Sequence, residues 1–342
     1  MSGKGQRAVI SALFVACLTL PLFSQSPYVL YVATLSAMYI AYALSFDLGA
    51  GHVGAISLAH PLFFGIGAYS VGILGTKANS PLWVAGLVAI VLAFLLAFLV
   101  ARPAFRLKEI SFAIATLGLA LSGQLIALNW VEVTEGPGCI NGIASPFSGW
   151  IGGENPYVAN RMAFYYLFLV ADLVVILVYV LLTRGRIGRV LTAIRNDEVL
   201  AASNGVDILR YKRFTFIAGA CIASAIGALW APYMTIVCPD HLGVAYTNTL
   251  LMIVFVGGAG NVWGVILGAV LVTVIPEVLR IEPTWRMELF GVVLLMMIIV
   301  QPNGLVGLFK RRRGGAMVSD TVAGHPNGEG TPGGGETPNG PP

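Results

Sequence analysis

Long apolar runs that contain almost no charged residues are the feature that most constrains the fold of this chain. Each run is close to the roughly 20 residues that an α-helix needs to cross the hydrocarbon core of a bilayer. Seven such runs are followed by a longer apolar region and a final run. They lie at about 8–24, 28–46, 57–76, 82–101, 110–130, 162–182, 214–236, 247–279 and 286–301. This pattern predicts an all-α polytopic bundle of transmembrane helices.

The composition supports this prediction. Hydrophobic residues make up 57% of the 342 residues and charged residues only 11%, whereas soluble domains carry about 25% charged residues. A soluble protein needs a charged surface over its core, so this composition excludes a water-soluble enzyme. The net charge of +4 comes from short basic clusters, which form no stripe for nucleic acid. The remaining surface is therefore expected to face membrane lipid.

The distribution of basic residues predicts the orientation. The region 247–279 is either one long tilted helix or two segments broken at the glycine-rich stretch 257–261. Cytoplasmic loops collect Lys and Arg. With the break, 16 of the 20 basic residues fall on one side of the membrane, and without it 14 do. The count favours about ten segments, one or two of them broken or half-spanning, with both termini cytoplasmic.

The chain is predicted to have two parts. Residues 1–309 form a transmembrane permease domain, and residues 310–342 form a basic and then disordered cytoplasmic tail, since the tail is rich in Gly, Pro, Thr and Asn. The first apolar run follows Lys4 and Arg7 as a signal peptide would, but it lacks a clean small-x-small cleavage site. We expect it to be retained as a helix.

Small residues recur at helical spacing and predict close helix packing, because lipid supplies no hydrophobic force between helices. The stripes are Gly219, Ala223, Gly227 and Ala231; Ala68, Gly72 and Thr76; and Gly264 and Gly268.

Neither a nucleotide site nor a metal site is predicted in this chain. Residues 49–54 match GxGxxG, but they lack the flanking strand and the following acid of a dinucleotide site, and no GxxxxGK[ST] motif occurs. His52 and His60 are eight residues apart with no third ligand nearby. We therefore expect no enzymatic activity and no bound cofactor, and any ATP is expected to be used by another subunit.

Three polar residues in the predicted spans are candidates for a translocation path. Asp172 lies at the centre of the sixth segment, where an acid costs about 2.5–3.5 kcal/mol on insertion scales. It is either a proton relay or an interhelical hydrogen-bonding contact. His60, followed by Pro61, and the nearby Ser57 line a pathway or simply lie at a helix kink.

The loop at about 183–213 carries seven of the basic residues. Its apolar positions and alternating charges predict a short helix that ends at Gly205. Such a helix lies on the membrane surface or docks into a partner protein, and its acids favour docking. The loop at about 131–161, on the opposite side, contains Cys139, and Cys238 falls on that same side. A disulfide between them is permitted.

Four stretches of sequence resemble the LivM-type permease subunit of branched-chain amino-acid ABC importers, over about residues 28–309. They are GHVGAISLAHPLFFGIGAY at 51–69, TEGPGCINGI at 134–143, GRVLTAIRNDEVLAASNGVDILRYKRFTF at 188–216, and VFVGGAGNVWGVILGA at 254–269 together with QPNGLVGLF at 301–309. The first stretch departs from the family pattern at Ala55, Ala59 and Pro61.

The resemblance implies a multi-pass permease of the bacterial inner membrane that pairs with a second permease subunit, as a heterodimer. It also implies two cytoplasmic ATP-binding subunits that hydrolyse ATP and a periplasmic or extracellular solute-binding protein. In that family the 188–205 stretch couples to the ATPase. The positions carried over from the family are Gly188, Arg189, Ala193, Arg195, Glu198, Ala201 and Gly205.

The expected solute is a branched-chain amino acid. Two alternatives stay open at this stage. One is a permease of the same family for urea, amides or other amino acids, and the other is an ion-coupled secondary transporter that uses Asp172.

Overall fold

A computed structural model describes residues 26–78, 80–147 and 156–278, together with Trp285 and Val292. All the described residues belong to one compact unit. The predicted spans at 8–24 and, apart from Val292, 286–301 lie outside the described stretches, as does the tail at 310–342.

Eleven α-helices lie within the described stretches. They are α1 (Pro27–Ala50), α2 (His60–Lys77), α3 (Leu82–Ala104), α4 (Glu109–Asn129), α5 (Val131–Thr134), α6 (Pro156–Arg184), α7 (Arg186–Asn196), α8 (Glu198–Ser203), α9 (Ile208–Met234), α10 (Val244–Gly257) and α11 (Val262–Val278). The three short helices α5, α7 and α8 lie in loops, and the other eight match predicted segments. By length and composition, five are able to cross a membrane: α1, α3, α4, α6 from Ala159, and α9.

The apolar region at 247–279 consists of two helices, as the distribution of basic residues favours. Between them, Gly258 and Gly260 have φ angles of 106° and 81°, which glycine adopts without strain. The helices lie antiparallel, with Gly257 close to the Gly264 carbonyl. With 14 and 17 residues, they are about 21 and 26 Å long. Both are shorter than the roughly 30 Å hydrocarbon core.

Small residues bring the helices into close contact, as predicted. A Cβ atom at Gly227 of α9 would overlap the Phe64 carbonyl of α2, and one at Gly219 would lie 2.7 Å from the Ser45 carbonyl oxygen of α1. Ser224 of α9 donates a hydrogen bond of 3.0 Å to the Ala89 carbonyl of α3. Five of the six buried residues of α3 form an alanine stripe at every fourth position: Ala85, Ala89, Ala93, Ala97 and Ala101.

One predicted stripe has a different neighbour. The position of a Cβ at Gly72 of α2 lies 3.5 Å from the side chains of Ile140 and Ile143, which belong to the segment between α5 and α6. At this position the small residue therefore accommodates that connecting segment.

The fold departs from a purely helical one in a two-residue ladder. Strand β1 (Ile140–Asn141) pairs antiparallel with β2 (Ile236–Val237), and Ile140 lies opposite Val237. The flanking residues Cys139 and Cys238 form a disulfide with their Cα atoms 4.5 Å apart. Ladder and disulfide together join the loop after α4 to the segment after α9.

Contacts between loops divide the described loops into two groups, one at each end of the helices. At one end, which contains the disulfide, Lys77 Nζ donates a hydrogen bond of 2.6 Å to the Glu132 carbonyl. At the other end, Arg195 contacts the Gly51 and Ala259 carbonyls. The two groups agree with the outside and inside loops that the basic residues predict. The candidate site lies at the end that contains Arg195, which the basic residues predict to be the inside.

Candidate coupling site and translocation residues

The loop predicted to couple to an ATPase folds into two short helices where the sequence pattern predicts one. The break is at Asp197, whose carboxylate accepts a hydrogen bond of 2.9 Å from the Leu200 amide and caps α8. Gly205, with a φ angle of 80°, follows α8 as the expected stop. The sequence pattern did not reveal the break because an N-cap aspartate resembles the other charged residues of the loop.

One face of α7 and α8 packs against the chain itself. Leu191, Ile194 and Ala201 are buried together with Val53 of the loop that follows α1. Two apolar residues on the other face are open to solvent, since Val199 is 81% exposed and Leu200 is 61% exposed. The segment therefore has an inner face that fixes it to the bundle and an outer face with no partner among the described residues.

The seven predicted coupling residues divide by what they contact. Gly188 and Ala201 are buried, and a Cβ at Gly188 would overlap the Thr183 carbonyl, because α7 folds back on the end of α6. Glu198 forms an ion pair with Lys212 of α9, while Arg195 donates to the Gly51 carbonyl. The remaining three are exposed: Arg189, Ala193 and Gly205.

A buried acid that the sequence analysis did not single out lies next to Arg195. Asp47, in the last turn of α1, has an exposed fraction of 0%. Its carboxylate accepts a hydrogen bond from the Tyr179 hydroxyl of α6. It also accepts bonds from the Gly260 amide, at 2.9 and 3.2 Å to its two oxygens. These hydrogen bonds replace the bonds to water that a carboxylate loses on burial.

His52 completes this cluster. Its Nδ1 atom lies 3.3 Å from the Tyr179 hydroxyl and 3.9 Å from the Asp47 carboxylate. Burial lowers the pKa of His52, the Asp47 charge opposes that shift, and Arg195 adds to it. The net result is a pKa below the usual value of about 6.5 for histidine, which favours the neutral imidazole.

The cluster joins three regions that are far apart in sequence: the end of α1 with the loop after it, α6 with α7, and the α10–α11 turn. The Asp47 to Gly260 contact spans 213 residues. In the sequence, Asp47 directly follows a predicted span that stops at residue 46. A charged residue at this position usually marks the end of a span, so the sequence pattern does not indicate that Asp47 is buried.

The structure brings two of the three translocation candidates together. Ser57 and His60 are both buried and line one small cavity of about 10 Å³. His60 Nε2 lies 2.9 Å from the Ser45 hydroxyl, so the imidazole has a hydrogen-bonding partner on α1. No cluster of three or more His, Cys, Asp or Glu side chains that could hold a metal occurs among the residues that the structure describes.

Asp172 lies apart from these two residues. Its side chain is only 6% exposed, and Oδ1 has no hydrogen-bonding partner among the described residues. It borders a cavity of about 340 Å³ between α1, α6 and α11, next to Ser36 and Tyr165. Among the described residues, Asp172 therefore borders a different cavity from the one that Ser57 and His60 line.

The chain belongs to the family described as the permease component of branched-chain amino acid transport systems, whose model matches residues 28–301. It is 32% identical to the LivM permease protein of the Escherichia coli K12 high-affinity branched-chain amino acid transport system, over 88% of this chain and 75% of that protein.

More distant relatives extend the comparison. The chain is 27% identical to a probable LivM permease protein of Methanocaldococcus jannaschii, over 64% of this chain and 68% of that protein. It is 25% identical to the E. coli K12 LivH permease protein, over 80% of this chain and 92% of that protein. No solved structure matches this chain. The chain is thus a membrane permease subunit with relatives of both the LivM and LivH types.

Proposed function

We propose that this chain is one of two permease subunits of an ABC importer in the bacterial inner membrane. The complex moves branched-chain amino acids inward, and separate cytoplasmic ATP-binding subunits hydrolyse the ATP. A second permease subunit completes the membrane part as a heterodimer, and a periplasmic or extracellular binding protein delivers the solute. The chain itself binds no cofactor, spans the membrane with about ten segments as residues 1–309, and ends in a cytoplasmic tail.

The two-faced arrangement of α7 and α8 is the observation that carries this proposal. Val199 and Leu200 are adjacent exposed apolar residues, and contiguous exposed apolar surface is typical of sites that bind a protein or a membrane. The inner face of the same segment is fixed to the bundle through Leu191 and Ile194. A rigid, partly apolar projection of this kind suits docking of an ATP-binding subunit.

The mechanism follows from this attachment. Closure of the ATP-binding subunits displaces α7 and α8, and their buried face transfers the displacement to the membrane helices. The helices then expose the solute path alternately to the two sides of the membrane. Ser57, His60 and Asp172 remain candidates for lining that path.

The test is uptake by the complete complex in proteoliposomes. Both permease subunits, the ATP-binding subunits and the binding protein are reconstituted with ATP on the cytoplasmic side. We expect accumulation of labelled leucine, isoleucine or valine, and none when this chain is omitted. Preferential accumulation of urea or a short amide would contradict the proposed solute class. Absence of any ATP-dependent uptake would contradict the transport proposal itself.

A further inference from the structure

The buried cluster around Asp47 connects the proposed ATPase-docking segment to the break between α10 and α11. Arg195 of α7 donates to the Gly51 carbonyl and lies 3.5 Å from the Ala259 carbonyl. Gly51 and Gly260 follow α1 and α10 respectively, and both are in contact with Asp47. The side chain of one α7 residue therefore contacts two backbone turns that Asp47 holds together.

We propose that Asp47 is a positioning residue, which with Tyr179 transmits the movement of α7 and α8 to the α10–α11 turn. This inference rests on the proposed function, because it requires an ATP-binding subunit to move α7. The partners of the carboxylate are Tyr179 from the end of α6 and the Gly260 amide from the turn. Since α7 follows α6 after one residue, a displacement of α7 also reaches Tyr179.

The energetics favour coupled movement over independent movement. Asp47 is completely buried, and a buried carboxylate that loses its hydrogen-bond donors is strongly destabilised. If Tyr179 or Gly260 moved alone, the carboxylate would lose one of its hydrogen-bond donors. The lowest-energy response to a displacement of α6 and α7 is therefore that the α10–α11 turn moves with them.

The α10–α11 turn is tightly packed against the loop that follows α1. A Cβ at Gly51 would overlap both the Asp47 carboxylate and the Gly260 amide. A Cβ at Gly260 would lie 2.8 Å from the Gly51 carbonyl oxygen and 2.8 Å from Arg195 Nη1. Gly258 and Gly260 also adopt positive φ angles, a region of backbone conformation that glycine enters about as readily as negative φ. Such a turn is suited to act as a hinge between two short helices.

The experiment measures solute transported per ATP hydrolysed in the reconstituted complex, normalised to assembled complex. The variants are Asp47→Asn and Tyr179→Phe, the second of which removes a single oxygen atom. The matched control is Tyr42→Phe, because the buried Tyr42 hydroxyl has no hydrogen-bonding partner among the described residues. The control is expected to keep the wild-type ratio.

We expect each variant to lower the ratio about tenfold while ATP hydrolysis stays within about twofold of wild type, which corresponds to loss of one hydrogen bond to a charged group. The double variant should be no worse than the more severe single variant, because Tyr179→Phe removes the donor of the Tyr179–Asp47 hydrogen bond and Asp47→Asn removes the charge of its acceptor. An unchanged ratio, or parallel loss of uptake and ATP hydrolysis, would overturn the inference. Failure of the proposed function is distinct, since it would remove uptake from the wild-type complex as well.

Discussion

At the scale of single residues, several helix contacts in this protein tolerate only glycine. Gly227 of α9 lies directly against the Phe64 backbone of α2, and Gly257 lies against the Gly264 carbonyl. Close backbone approach of this kind replaces the hydrophobic force that is missing between helices in lipid. The stability of the bundle should therefore depend on these positions far more than on exposed glycines.

Replacing Gly227 with alanine should lower the melting temperature of the purified protein in detergent. The added methyl group overlaps a carbonyl, and overpacking of this kind costs about 1–3 kcal/mol. The matched control is Gly118→Ala in α4, where nothing lies within 4 Å of the added Cβ. Since glycine is about 1 kcal/mol less favourable than alanine inside a helix, the control should be neutral or slightly stabilising. Equal melting temperatures for the two variants would refute the packing argument.

At the scale of elements, the outer face of α7 and α8 is exposed while their inner face is buried. A substitution on the outer face therefore tests docking without disturbing the fold. Substitution of Val199 by aspartate should weaken association with the ATP-binding subunits by about 2 kcal/mol, the scale of an interface hot spot. The expected result is loss of these subunits on copurification, with an unchanged yield of the membrane protein. The control is Val131→Asp, since Val131 is also exposed but lies at the opposite end.

Retention of the ATP-binding subunits by the Val199→Asp variant would count against the docking face. Equal loss in the Val131→Asp variant would show that the added charge acts in a general way, unrelated to this face.

The apolar runs predicted the positions of the long helices, while their polar ends were less predictable. Helix α1 continues past residue 46 to Ala50 because its acid, Asp47, is satisfied by Tyr179, 132 residues away. Helix α9 begins at Ile208, before the predicted residue 214, because Asp207 caps it by accepting a bond of 3.1 Å from the Arg210 amide. Local hydropathy contains no information about such partners.

The candidate site was predictable only in part, because the local pattern indicates the loop but not the residues that it contacts. Its seven loop residues followed from the family resemblance, and the loop was found from its basic residues and helical periodicity. That Arg195 and Glu198 bind within the chain, and that Asp47 joins α1 to the α10–α11 turn, depends on contacts between distant segments. A single sequence does not show which distant residues meet.

At the scale of the whole molecule, the described loops fall into two groups, and a disulfide fixes one of them. Cys139 and Cys238 are 99 residues apart in sequence, and a disulfide typically stabilises a fold by about 2–4 kcal/mol. The pair lies on the side predicted to be extracytoplasmic, where disulfides form and persist.

Replacing both Cys139 and Cys238 with serine should therefore lower the melting temperature, and the reductant dithiothreitol should have the same effect on the wild-type protein. The control is Cys221→Ser in α9, because Cys221 is a free cysteine. A melting temperature that is insensitive both to the reductant and to the double substitution would show that the disulfide does not stabilise the fold.

The most direct test of the central claim is to measure which energy source drives transport. In proteoliposomes that contain the complete complex, uptake of labelled leucine is measured with and without ATP, and with and without a protonophore. Our account predicts that uptake requires ATP hydrolysis and survives collapse of the proton gradient. Uptake that continues without ATP and stops with the protonophore would contradict it, and would identify an ion-coupled transporter with Asp172 as the candidate coupling acid.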